Sequence, residues 1–144
     1  VWMATTSCKI KSNKKLSPKE KKLFENFLGF CKEKLEIKRM PVSIEIVKER
    51  VEGATTGAYY PHNQTVSVLG GNRLFLDVMR SVAHELTHHK QNERGTLQEL
   101  MQEYPEDLYS PYENEAYEKA GNIIKEWVRK NKETANCDLY KIYF

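Results

Sequence analysis

No apolar run in the sequence approaches the roughly 18 residues that a membrane-spanning helix requires, which excludes a helical membrane protein. The opening stretch VWMATTSCKIKSNKK lacks the continuous apolar core of a secretory signal, so the expected location is the cytoplasm. Cysteine is scarce: Cys8, Cys31 and Cys137 are odd in number, far apart and without a CxxC pair. A disulfide framework and a cysteine-built zinc site therefore fall away, and a reducing compartment is favoured. An RNP signature, a zinc knuckle and aromatics interleaved with basic residues are missing too. Internal repeats, low-complexity tracts and dividing linkers are also missing, so the 144 residues read as one domain.

What is present is ordinary for a soluble globular chain able to bury a core: 40% hydrophobic and 30% charged residues. The net charge of +3 is unevenly spread, because Lys9, Lys11, Lys14, Lys15, Lys19, Lys21 and Lys22 face only Glu20 in the first 22 positions. Such a run could touch nucleic acid. A solvated stretch leading into a helix explains it more simply, and nucleic acid is not expected as a partner. Residues 1–16 accordingly read as a flexible basic lead-in.

Ser17-Pro18-Lys19-Glu20 has the form of a capping box, and Leu23, Phe24, Phe27, Leu28, Cys31 and Leu35 recur behind it at helical spacing. This predicts an amphipathic helix to about residue 38, stopped by Pro41, with Cys31 as a buried hydrophobe rather than a reactive thiol. Val42, Ile44 and Ile46 alternate with polar residues, and residues 55–60 and 64–69 read as two further strands. The expectation is a small three-stranded, mostly antiparallel sheet packed on helices. Asn72 is placed to cap a long helix through about Asn92 with Leu74, Phe75, Val78, Val82 and Leu86 as its apolar stripe. A shorter helix follows Thr96, and Ser110-Pro111-Tyr112-Glu113 opens a last long one bearing Ala116, Ala120, Ile123, Ile124, Trp127 and Val128. The predicted class is α+β, with the domain over 17–131. The hydrophobic tail 132–144 is expected to dock on it.

The chemistry concentrates in His84-Glu85-Leu86-Thr87-His88, an HExxH motif within a helical segment. Residues four apart differ by about 40° in azimuth and one turn in height, so both imidazoles can close on one ion. Glu85 is offset to the side, where it can reach an activated water without ligating the metal. Neutral imidazoles suit one Zn2+ ion, and an open position on zinc lowers the pKa of water to about 7. Glu85 would then take a proton from that water and deliver it to the leaving amine. The neighbouring His89 points about 100° away and reads as a partly exposed polar residue.

A hydrolytic zinc site needs a third protein ligand. No histidine follows His89, so the ligand should be a carboxylate, and Glu113 and Glu115 are the candidates. Capping logic sends Glu113 back to the backbone of Ser110 and leaves Glu115 free. Helical phase instead puts Glu113 closer to the apolar stripe. Glu115 is the preferred ligand of the two.

HELTH on a helix, followed by a helix bearing Asn114-Glu115-Ala116, resembles the gluzincin metallopeptidases. The brief succession of elements looks like the minimal single-domain gluzincins, or minigluzincins. The resemblance spans about residues 17–131, but only the two motif segments are specific. It implies a zincin-like fold, a zinc-dependent endopeptidase, and Glu115 as third ligand. Lys119 departs from the pattern, standing where an Asp often orients a zinc-bound histidine. The resemblance also implies that an extended peptide substrate pairs with the strand before the motif helix, here residues 64–69, as an added edge strand. Tyr112 and Tyr117 are the candidate oxyanion donors, ahead of Tyr104, Tyr109 and His62. A terminal segment can keep such enzymes latent, and the tail carries Cys137 and Asp138 as potential ligands. The alternative reading is a zinc-containing module that captures peptides without turnover.

Overall fold

The computed structural model describes residues 1–4, 7–49, 56–103, 110–131 and 142–144. In chain order its elements are β1 (Trp2–Met3), β2 (Lys9–Ser12), α1 (Pro18–Lys34), β3 (Ser43–Val47), β4 (Gly57–Tyr60), β5 (Thr65–Leu69), α2 (Phe75–Glu93), α3 (Leu97–Glu103) and α4 (Pro111–Lys130). The capping box at the start of α1 is complete. The Glu20 N–H donates to Ser17 Oγ at 3.2 Å, and the Ser17 N–H donates to Glu20 Oε1 at 2.9 Å. The helix ends before Pro41 is reached, because Glu36 turns to a positive φ of 54°. The Ile37 N–H then closes on Lys32 O at 3.0 Å, a Schellman stop that Glu36 provides without a glycine.

Among the described residues the sheet is five-stranded and mixed, with strand order β1-β2-β3-β5-β4. β2–β3 and β3–β5 are parallel, whereas β1–β2 and β4–β5 are antiparallel. This corrects the three-stranded, mostly antiparallel expectation. The extra strands come from the segment taken as a flexible lead-in. Its KIKS strand carries one apolar residue among lysines, so it reads as solvated. Yet Ile10 is fully buried and opposes Ile44. The α1 crossover returns the chain parallel to β2, which a hairpin could not do. Trp2 adds a second anchor, edge-on to Phe24 and donating from Nε1 to Glu25 Oε1 at 3.1 Å.

The position of residues 64–69 is also corrected. β5 lies between β3 and β4, because the chain runs outward to β4 and then turns back to fill the gap. Among the described residues β4, not β5, is the outermost strand on this side. Its inward row, Gly57 and Tyr59, opposes Val68 and Val66.

α2 packs along α4 and against β4 and β5, while α1 meets α4. Phe24, Phe27, Phe75, Met79, Leu86 and Trp127 fill the space between these layers. Asn72, expected to cap α2, instead has φ 60° and gives its N–H to Phe144 O at 2.7 Å. The cap position belongs to Leu74, which supplies no side-chain bond. Residues 142–144 lie alongside this start: Tyr143 bridges Leu74, and Phe144 stacks on Phe75. Cys137 and Asp138 lie outside the described residues. Among the described residues, no helix is long and apolar enough to cross a membrane.

Candidate metal centre

α2 runs between β4 and α4, and its two neighbouring faces divide the chemistry. Glu85 and His89, four residues apart, face β4. His84 and His88, also four apart, face α4. His84, Glu85 and His88 present ligand atoms within 4.8 Å of one another and form a group that could hold a metal ion. The two imidazole rings stand edge to face with centroids 5.0 Å apart.

α4 supplies the carboxylate that meets them. His84 Nε2 lies 3.3 Å from Glu113 Oε2, and His88 Nε2 lies 2.7 Å from Glu113 Oε1. Glu115, preferred on sequence grounds, is turned elsewhere: its Oε1 accepts from Arg94 Nη2 at 2.7 Å and from Gln91 Nε2 at 2.8 Å. The structure thus turns Glu113, not Glu115, toward the two histidines. Ser110 Oγ does accept the Glu113 N–H, at 3.4 Å, but the Glu113 side chain reaches toward α2 instead of completing the box. Helical phase, which puts Glu113 closer to the apolar stripe, agrees with this orientation.

The tautomer of His88 follows from its surroundings. Gln91 Nε2 donates to Tyr112 O at 3.0 Å and to Glu115 Oε1 at 2.8 Å, both pure acceptors. The amide oxygen is therefore the atom 2.8 Å from His88 Nδ1, and Nδ1 must carry hydrogen. His88 Nε2 is left facing a carboxylate oxygen. That contact calls for positive charge, either a second proton on the ring or a cation held jointly by both histidines and Glu113. Two imidazole nitrogens and one carboxylate are a donor set that fits such an ion.

The electrostatics follow the same geometry. Burial disfavours charge on His88, but the Glu113 hydrogen bond and the nearby Glu85 outweigh it, and its pKa rises above the ordinary histidine value. Burial also opposes charge on Glu113, yet the hydrogen bonds from His84 and His88 prevail and hold it at about 2. Glu85 goes the other way: burial pushes its carboxyl up, and the two histidines only partly offset this. One carboxylate is thus held ionised beside another whose pKa burial pushes up.

Gly57 is a position beside the candidate site that sequence reading missed. A β-carbon there would lie 3.0 Å from Glu85 Oε2 and 3.2 Å from Glu85 Cγ, so the missing side chain lets the buried carboxylate lie against β4. Gln91 was missed as well, although its i,i+3 spacing from His88 was a usable signal. His89 is buried, not partly exposed. Its Nε2–H donates to Arg39 O at 2.6 Å, and its Nδ1 faces Tyr59 Oη at 2.7 Å, tying α2 to β4 and to the loop before β3.

A cavity of about 230 Å³ opens beside the site, between β4 (Gly57, Ala58, Tyr59), α3 (Leu97, Met101) and the Glu85, His88, Tyr112 and Glu113 side chains. Tyr112 is buried with its ring 5.8 Å from that of His88. Tyr117 is 57% exposed, and its ring lies 4.5 Å from that of His84. His62 is exposed in the β4–β5 turn, while Tyr104 and Tyr109 lie outside the described residues. No protein-family model matches the chain, and comparison with curated proteins and with solved structures returns no match.

Proposed function

We propose that the chain is a zinc-dependent endopeptidase of the gluzincin type, with His84, His88 and Glu113 as metal ligands and Glu85 as general base. The observation that carries this reading is the convergence of both histidine Nε2 atoms on one Glu113 carboxylate, with Glu85 buried beside them. Zinc at such a donor set supplies a Lewis acid for the peptide carbonyl and lowers the pKa of water.

The remaining work belongs to the protein's own groups. Glu85, whose carboxyl is raised by burial, takes a proton as a water oxygen bonds to the scissile carbon. It returns that proton to the amine as the C–N bond breaks. Gly57 lets Glu85 keep this position. Tyr117, at the mouth of the site, donates to the carbonyl oxygen as negative charge develops there. Its phenol is held in the donating, protonated form by partial burial and by the charges of Glu113 and Glu85. An extended peptide would lie along β4, the outermost strand, beside the cavity.

The test is metal content followed by digestion of a fluorogenic peptide library, with Glu85→Gln alongside. An enzyme binds one zinc per chain and cleaves, and Glu85→Gln keeps the zinc but loses cleavage by at least about 100-fold. Zinc binding and peptide capture without cleavage in the wild type would identify the chain as a peptide-binding module instead. Absence of zinc after reconstitution would overturn the metal site itself.

A further inference from the structure

We propose that Gln91 and Glu115 form a positioning relay that fixes His88 as a metal ligand, which rests on the zinc-site reading above. The relay runs from solvent to site as Arg94–Glu115–Gln91–His88, with contacts of 2.7, 2.8 and 2.8 Å. Each link has a fixed donor and acceptor. Arg94 can only donate, Glu115 accepts from both neighbours, and the Gln91 amide is thereby oriented with its oxygen toward His88 Nδ1. The Tyr112 carbonyl, 3.0 Å from the same amide nitrogen, enforces the same orientation from the α4 backbone.

Two consequences follow. His88 is held as the Nδ1–H tautomer with its Nε2 lone pair directed into the site. The ring plane is also fixed by a bond on the side away from the metal. Gln91 is itself 1% exposed, so a wrongly oriented amide would leave buried polar groups facing like partners. The Lys119 departure noted in the sequence leaves the orienting role open, and Gln91 fills it from the motif helix itself. Glu115 belongs to the site without touching the ion: it acts through Gln91. Arg94 and Glu115 are both partly exposed, so the relay's outer link is open to solvent.

The test measures zinc affinity by competition with a chromophoric chelator, and the His88 tautomer by ¹⁵N-detected NMR on the metal-free protein at high pH. Thermal melts confirm folding. The variants are Gln91→Met, which keeps length without an amide, Glu115→Ala, and Glu115→Gln. The Gln amide oxygen at position 115 can still accept from both Gln91 and Arg94, so this conservative change keeps the relay's hydrogen bonds. Gln91→Met should weaken zinc binding by about 10–100-fold and release the tautomer. Glu115→Ala should weaken it a few-fold. Glu115→Gln should keep the Nδ1–H tautomer and most of the affinity that Glu115→Ala loses, a rescue that follows only if residue 115 acts as an acceptor for Gln91.

Unchanged zinc affinity and tautomer in folded Gln91→Met would overturn the relay while leaving the zinc site standing. If Gln91→Met does not fold, Glu115→Ala and Glu115→Gln decide: weakened binding in the first and near wild-type binding in the second support the relay, and any other pattern overturns it. Failure of the wild type to bind zinc would remove both the site and the relay.

Discussion

A β-carbon on Gly57 would stand 3.0 Å from Glu85 Oε2, so β4 and the carboxylate proposed as general base share one small space. Val68, opposite Gly57 in the sheet, closes the other side at 3.2 Å. The Gly57→Ala variant should therefore push Glu85 away from its place. The carboxylate must give by a few tenths of an ångström, and because misplacement by about 1 Å can cost about 100-fold, peptidase activity should fall by up to about 10-fold while bound zinc stays near the wild-type value. Activity and metal content measured on the same sample check this. Equal losses of both would point to a disturbed sheet.

Glu113 and Glu115 differ by two residues and should behave differently. Glu113→Ala removes the carboxylate that meets both histidines, so zinc affinity should fall by more than the roughly 10–100-fold typical of losing a ligand's hydrogen-bond partner. Glu115→Ala, altering only the support of Gln91, should lose far less. Chelator competition on the two variants separates these outcomes, and a larger loss in Glu115→Ala would reverse the assignment.

These two residues show what the sequence could and could not tell. The motif helix was legible because its apolar period and its HExxH spacing coincide on one continuous segment. The choice between Glu113 and Glu115 was not, since capping and helical phase gave opposite answers, and only packing of α4 on α2 decides where a side chain at the start of a helix goes. Strand β2 was hidden for a related reason. Ile10 is a single apolar residue between lysines, and its burial depends on parallel pairing with Ile44, which is distant in sequence. The edge position of β4 similarly follows from chain order across the sheet, not from its local composition.

Cys8 and Cys31 should be silent toward thiol reagents in the folded protein. Both are fully buried. Burial pushes the Cys8 thiol up to about 12 and the Cys31 thiol well above its ordinary value. The thiolate is the reactive form, so mass-spectrometric mapping after iodoacetamide at pH 8 should find neither residue modified natively and both modified in denaturant. Native labelling of either would contradict the packing of α1 and β2.

Glu93 gives stability a definite dependence on pH. Its two carboxylate oxygens accept the backbone N–H groups of Lys38 at 3.1 Å and Arg39 at 2.8 Å, holding the loop that also receives His89. Burial would raise its pKa, but these two bonds outweigh that and the pKa is lowered. A lowered folded-state pKa contributes stability that is present above the unfolded value of about 4.3 and lost as pH falls through the folded one. Glu93→Gln should therefore cost about 1–2 kcal/mol at pH 7. The difference from wild type should shrink as the pH falls below about 4. Urea unfolding at several pH values measures this, and a gap that widens toward acid would refute it.

Residues 142–144 secure the helix on which the whole site depends. Phe144 is buried and stacks on Phe75, the first residue of α2, with ring centroids 5.9 Å apart. Backbone bonds join the same segments: Asn72 N–H to Phe144 O at 2.7 Å, Phe75 N–H to Ile142 O at 3.0 Å, and Phe144 N–H to Arg73 O at 3.1 Å. They supply what Leu74 cannot, since its side chain makes no cap bond. Truncating a buried aromatic costs about 3–5 kcal/mol in a closed core. At this surface-proximal position Phe144→Ala should cost about 3 kcal/mol and lower Tm by roughly 10 °C. Deleting residues 142–144 should cost more, because the backbone bonds go with the ring. At 25 °C the folded fraction of Phe144→Ala should still bind zinc as the wild type does, since His84 lies more than two helical turns beyond Phe75. Calorimetry with and without excess zinc measures both effects. A Tm unchanged by Phe144→Ala would mean that α2 does not rely on this contact for its start.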